Sequence, residues 1–361
     1  MNVTAAGGSV ETPPTTPRPR LCCKLDGARF LYEILSCLVP SGGSSVAAQH
    51  STLVIAVPTA PRNALRFVVE EAGCLQACVT LGRDMLLAME VDEEAETISF
   101  AVSLAEVLDC LQLLSSISAH AEKALTSPPL RMLYETPGGP LVLVVHGSEA
   151  SLVQCRVQTI ESAAVSDFAF YDAPVLNTVV VQSCLLATAI AELDYGGATF
   201  GSIRMQPGPH PLFRWESQHE AGLASLTVDL PQPHEVDDGG GTVAAAYHEF
   251  DSLQAQVAGY RIAPLKRCVK ALGLSDVARV RLNATGMLSV TARLRTAATT
   301  SAVDGVKGGR HRGALRMPPL PRHGPLGAGT AAVTTASACF FEFLIAADEL
   351  ATEAAERTTG D

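Results

Sequence analysis

The sequence predicts an α+β fold built from two similar halves, each with two helices packed on antiparallel sheet. Three observations carry that prediction. Four short segments repeat apolar residues at i, i+3, i+4 and i+7, the spacing of one helix face. Nearly everything between them is strand-like, with turn residues separating the runs. The first and third helical segments start about 155 residues apart, and the second and fourth about 160 apart. An internally duplicated unit accounts for all three observations.

The first helical set is Leu31, Ile34, Leu35 and Leu38, and the second is Leu104, Val107, Leu108, Leu111 and Leu114. The third is Leu186, Ala189, Ile190 and Leu193, and the fourth is Leu265, Cys268, Val269 and Leu272. Each covers roughly three turns, an ordinary helix length. Strand-like runs in the first half are TLVIAV (52–57), LRFVVEE (65–71), CLQACVTL (74–81), TISFAVS (97–103), LRMLYE (130–135), PLVLVVHG (140–147) and SLVQCRVQTI (151–160). The second half continues with VLNTVVVQS (175–183), FGSIRMQ (200–206), LFRWESQ (212–218), GLASLTVDL (222–230), YRIA (260–263), ARVRLNAT (278–285), MLSVTARLR (287–295) and CFFEFLIAA (339–347). Turns fall at Pro137-Gly138-Gly139-Pro140, Thr285-Gly286 and Ala72-Gly73.

This organisation divides the chain into a Pro/Thr/Gly-rich tail (1–20), an N-terminal domain (21–160), an aperiodic connector (161–174), a C-terminal domain (175–349) and a polar tail (350–361). Within the C-terminal domain, 296–336 is low in complexity and cannot build a core. It carries Lys307, Arg310, Arg312, Arg316 and Arg322 against one acid, Asp304.

Of 361 residues, 47% are hydrophobic and 17% charged, enough for a sizeable core. Lys plus Arg is 26 and Asp plus Glu 37, a net charge of −11, which excludes a generic nucleic-acid coat but not a local basic patch. No run of 18 apolar residues is present to span a membrane, and the first twenty residues lack a signal-peptide pattern. The ten cysteines lie mostly singly in apolar runs, with no CxxC and no zinc spacing, so they read as reduced, buried thiols of an intracellular protein. The sequons at Asn2 and Asn283 then carry no meaning.

Several segments together resemble the DNA sliding-clamp family, and within it the Rad-one type of the nine-one-one DNA-damage checkpoint clamp. They are TISFAVSLAEVLDCLQLL (97–114), PPLRMLYETPGGPLVLVV (128–145), SLVQCRVQTIE (151–161), SDFAFYDAPVLNTVVVQSCLLATAIAELD (166–194), YRIAPLKRCVKALGLSDVARVRLNATGMLSVTARLR (260–295) and CFFEFLIAADE (339–349). The resemblance covers about four-fifths of the chain, and its motifs keep the family's order. The long insertion and the N-terminal tail depart from the family pattern.

The resemblance implies a clamp fold and a non-catalytic subunit of a heterotrimeric ring around double-stranded DNA. It implies Rad-nine-like and Hus-one-like partner subunits, a clamp loader, repair enzymes as clients, a nuclear location and no cofactor. The alternative is a homotrimeric replication clamp of the PCNA type. In a clamp the helices face the hole, so Lys266, Arg267 and Lys270 of the fourth helical segment are expected to face DNA, with Arg29 and Lys24 from the first. The connector's Phe168, Phe170 and Tyr171, flanked by Asp167 and Asp172, are expected beside a pocket for partner peptides, or else pin the linker to the sheet.

Nothing in the sequence builds a catalytic centre. GxxxxGK[ST], GxSxG and HExxH are all missing. His234 and His248 stand beside Glu235 and Glu249 without metal spacing. The resemblance also brings an old exonuclease label, but Asp109, Glu192 and Asp194 lie on predicted helices and do not converge as a two-metal site requires.

Overall fold

The computed structural model describes residues 19–39, 51–58, 64–71, 73–120, 128–146, 151–161, 165–166, 168–194, 197–208, 212–218, 225–229, 247–294 and 339–357. The N-terminal tail before residue 19 and the insertion at 296–336 lie outside them.

The first half runs β1 (Leu21–Leu25), α1 (Ala28–Leu35), β2 (Thr52–Val57), β3 (Ala64–Glu71), β4 (Leu75–Gly82), β5 (Ala88–Val91), β6 (Ile98–Ser103), α2 (Leu104–His120), β7 (Leu130–Tyr134), β8 (Leu141–His146), β9 (Leu152–Val157) and β10 (Thr159–Ile160). The second runs β11 (Val175–Gln182), α3 (Ser183–Glu192), β12 (Phe200–Gln206), β13 (Leu212–Gln218), β14 (Ser225–Asp229), β15 (Tyr247–Ser252), β16 (Gln256–Arg261), α4 (Ile262–Gly273), β17 (Ser275–Asn283), β18 (Leu288–Leu294), β19 (Cys339–Ile345) and α5 (Glu349–Arg357). The fold is thus α+β, and the strand pairings are antiparallel.

One sheet has the order β5-β1-β7-β8-β9, and another the order β14-β13-β12-β16. The largest has the order β10-β6-β2-β3-β4-β19-β18-β17-β11-β15. Within it, β6-β2-β3-β4 follows the plan of β16-β12-β13-β14, and β15-β11-β17-β18-β19 follows the plan of β5-β1-β7-β8-β9. The halves join where β4 pairs with β19, from Cys339↔Leu81 to Ile345↔Leu75.

Local sequence explains the elements. In β1 the residues Leu21, Cys23 and Leu25 are buried while Lys24 points the other way, as the two-residue strand period requires. Helix α1 buries Ala28, Leu31, Ile34 and Leu35, then tightens into a 3₁₀ turn over Ser36–Leu38 that buries Leu38 as well. At the start of α2, Ser103 Oγ accepts from the Glu106 backbone N–H at 3.3 Å, the Ser-x-x-Glu spacing of a helix start. Pro264 sits in the first turn of α4, where no intrahelical donor is lost. Gly138 has φ 73°, a left-handed turn position that suits glycine, and the Gly139 N–H donates to Thr136 O at 2.9 Å to close the β7–β8 turn.

The core is continuous across the β4–β19 join. Phe67 and Val79 from the first half pack in one cluster with Phe341, Phe343, Trp215 and Tyr260 from the second, all of them buried.

Two departures from the sequence expectation concern boundaries. The strand expected at 260–263 ends at Arg261, and α4 begins at Ile262 without an intervening loop. The polar tail expected from residue 350 begins instead as α5. Asp348 starts that helix by accepting from the Ala351 N–H at 3.2 Å, and Ala351 and Ala355 are buried. The helix covers the open edge of β16. The Gly259 N–H donates to Thr352 Oγ1 at 2.9 Å, and the Asp348 N–H donates to Gly259 O at 2.8 Å.

Candidate functional site

Helix α1 packs on α2, and α3 packs on α4, while α4 also reaches the turn at Ser36–Leu38. Five cations were expected on the DNA-facing side of this layer, and the structure places them as follows.

Lys266 is half-buried and pairs with Asp194, just past the end of α3. Lys270 extends across the join: its Nζ donates to Ser36 Oγ at 2.7 Å and approaches Ser36 O at 3.3 Å. A cation there also suits the carbonyl end of α1. Arg29 is exposed on α1 and pairs with Glu33 at 2.9 Å, one turn on.

Two of the five do not lie on the exposed face of the helix layer. Arg267 is only 3% exposed; its guanidinium donates to Leu38 O at 2.6 Å and pairs with Glu71 at the end of β3. It is an internal tie, because Leu265, Cys268, Ala271 and Leu272 turn that part of α4 into the join. Lys24 lies on the sheet face opposite the buried Leu21, Cys23 and Leu25, away from the helices and opposite Arg131 of β7. Period-2 alternation from Cys23 could have placed it there.

Among the described residues, α1 to α4 expose Glu33, Glu106, Asp109 and Glu192 against Arg29 and Lys270, with half-buried Lys266 and exposed Asp194 adjacent. The helix layer is therefore slightly acidic, with its bases already matched to acceptors.

The connector segment 168–172 packs on the large sheet. Phe168 and Phe170 are buried against Leu344 of β19, and Tyr171 packs at the edge of that cluster. Phe170 and Tyr171 meet edge to face, with ring centroids 5.1 Å apart. The Arg281 guanidinium lies 5.3 Å from both ring centroids and donates to Tyr171 Oη at 3.0 Å and to Glu342 Oε1 at 3.2 Å. Tyr171 Oη also donates to Glu342 Oε1 at 3.2 Å. Burial, with Glu342 alongside, pushes the Tyr171 phenol up to about 12. Asn283 Nδ2 donates to Phe170 O at 3.0 Å in a buried contact, and Ser166 O accepts from Gln76 at 2.8 Å. Ala169 holds a left-handed φ of 51°, strain that these contacts impose.

Phe168 and Phe170 thus hold the linker on the sheet through buried contacts. Asp172 is exposed beside them, and Asp167 lies outside the described residues. Sequence reasoning missed Arg281, Glu342 and Asn283. Glu342 did leave a signal: it is a lone acid in the apolar run CFFEFLI, and a buried carboxylate needs a partner.

Burial pushes Cys23 and Cys37 up to about 12, while Cys184 is exposed. No group of three or more His, Cys, Asp or Glu side chains is positioned to hold a metal among the described residues.

Comparison with known proteins identifies a family. Residues 20–293 match the family model described as Repair protein Rad1/Rec1/Rad17. Human "Cell cycle checkpoint protein RAD1" is 30% identical over 275 residues, covering 76% of this chain and 86% of that protein. The mouse protein of the same name is 30% identical over 236 residues, 65% of this chain and 77% of its own length. "DNA damage checkpoint control protein rad1" of Schizosaccharomyces pombe is 20% identical over 244 residues, 63% and 70% of the respective lengths. With three-quarters of its length aligned to human RAD1 and its patterned core inside the family model, this chain belongs to the Rad1/Rec1/Rad17 repair-protein family.

Proposed function

We propose that this chain is a non-catalytic subunit of a heterotrimeric clamp that encircles duplex DNA in the nucleus. In this reading a clamp loader places the ring at damaged or stalled replication sites, where it supports checkpoint signalling and repair enzymes. Two similar clamp domains, 21–160 and 175–349, are joined by the connector 161–174. The names of the relatives, a cell cycle checkpoint protein and a DNA damage checkpoint control protein, support the pathway.

The observation that carries the reading is the repeated strand order. Inside the chain, β4 of the first half pairs with β19 of the second. By the repeat, β14 holds the place of β4, and β9 holds the place of β19. Both are outer strands of their sheets. The same antiparallel pairing can therefore join β9 of one subunit to β14 of the next. Such head-to-tail contacts close a ring when the rotation permits. A closed ring holds DNA topologically and needs few phosphate contacts from any one subunit.

The charge of the helix layer favours different partners over identical ones. Three copies of this slightly acidic face would repel the phosphate backbone, so a Rad-nine-like and a Hus-one-like subunit would supply the positive charge. Topological linkage supplies the test. A ring assembled from this chain and those two subunits, loaded on nicked circular plasmid, should survive a high-salt wash and slide off once the plasmid is linearised. Equal salt-resistant retention on linear and circular DNA would contradict encirclement.

A further inference from the structure

The internal join is a working example of the contact that the ring reading requires between subunits, so its chemistry can be carried to the open edges. Helices α2 and α4 occupy the same place in the repeat. Each follows directly from its strand, β6 into α2 at Leu104 and β16 into α4 at Ile262. Each also lies against the strand at the join or its counterpart, α4 against β19 and α2 against β9.

The sixth residue of α4 is Arg267, which crosses the join to the Leu38 carbonyl and Glu71. The sixth residue of α2 is Asp109, exposed beside the free strand β9. The ninth residues are Lys270, bonded to Ser36, and Gln112. At the open edge, then, the donor that closes the internal join is replaced by a carboxylate.

The receiving side is acidic as well. Leu38 is the eleventh residue from the start of α1, and the eleventh from the start of α3 is Leu193. Both are buried. The turn around Leu193 is flanked by Glu192 and by Asp194, which Lys266 of α4 already pairs, so it keeps a net negative charge at a helix carbonyl end, a site suited to a further cation. A second copy of this chain would bring Asp109 to that turn, acid against acid.

We propose that Asp109 selects the neighbour at the β9 edge: a clamp-type subunit carrying a basic side chain at the end of its receiving helix, and never another copy of this chain. The inference rests on the ring reading and specifies which residue makes the ring heteromeric. Like charges set against each other across an interface disfavour the wrong partner more than matched charges tighten the right one.

The test uses the full chain with Asp109→Arg and Asp109→Asn, measured for pairwise binding to each of the two proposed ring subunits and for self-association by sedimentation velocity. Asp109 is exposed, and thermal melting checks that both variants fold. Asp109→Arg should weaken binding to one subunit about tenfold at low salt, with the loss shrinking at high salt, and leave the other contact unchanged. Asp109→Asn should lose less. Wild-type affinity of Asp109→Arg for both subunits would overturn the inference while leaving the ring intact. Self-association of the wild-type chain through its two edges would also overturn it. Wild-type chain that binds neither subunit would instead overturn the ring reading itself, and this inference with it.

Discussion

Arg267 enters the interior because two acceptors meet it there, the Leu38 carbonyl and Glu71. Removing the cation leaves the carbonyl without that partner and opens a gap at the join. Arg267→Ala should cost about 3 kcal/mol, read from the urea midpoint. Glu71→Gln should cost about 1 kcal/mol or less, since Glu71 is 44% exposed and keeps an acceptor oxygen. Equal losses would contradict the assignment of burial to Arg267. The sequence placed Arg267 beside Lys266 and Lys270 as a cation, but adjacent charges on one helix reveal nothing of what the far half offers.

Buried titrating groups act at this scale too. Burial raises Cys23 and Cys37 from 9.0 to about 12, and Tyr171 from 10.0 to about 12. A group raised in the folded state adds stability below its unfolded value and loses it as pH climbs through the folded value. Unfolding free energy should therefore decline between pH 9 and 12. Tyr171→Phe should flatten the decline above pH 10, and an unchanged slope would count against the buried phenol. With a thiol reagent at pH 8, Cys184 should react first, with Cys23 and Cys37 protected until unfolding.

At the scale of elements, the strands and four helices are legible because each buries one face at a fixed period. Leu104, Val107, Leu111 and Leu114 all reach the core as their spacing requires. Helix α5 was not legible. Its polar sequence offers little apolar surface, and it forms by docking Ala351 and Ala355 onto β16. That docking depends on Gly259, where an added Cβ would stand 2.3 Å from the Ala351 carbonyl carbon. Gly259→Ala should displace the helix, raising proteolysis and hydrogen exchange in 349–357 while leaving β17 and β18 protected. Unchanged exchange in α5 would show that the helix is held elsewhere. The connector was half legible: its rings stood out, but their burial depends on Asn283 and Arg281, more than a hundred residues on in sequence.

For the whole molecule, the repeated spacing anticipated a repeated strand order, while pairing of β4 with β19 could not be read from local pattern because it joins distant segments. In the proposed ring, that pairing is also what would make β9 and β14 complementary ends. In the proposed assembly these ends close a ring with two different subunits. Light scattering of the purified chain, alone and co-expressed with the Rad-nine-like and Hus-one-like subunits, tests it most directly. The account predicts a monomer alone and a one-to-one-to-one complex with partners. A stable homotrimer of this chain, or a monomer indifferent to both partners, would contradict it.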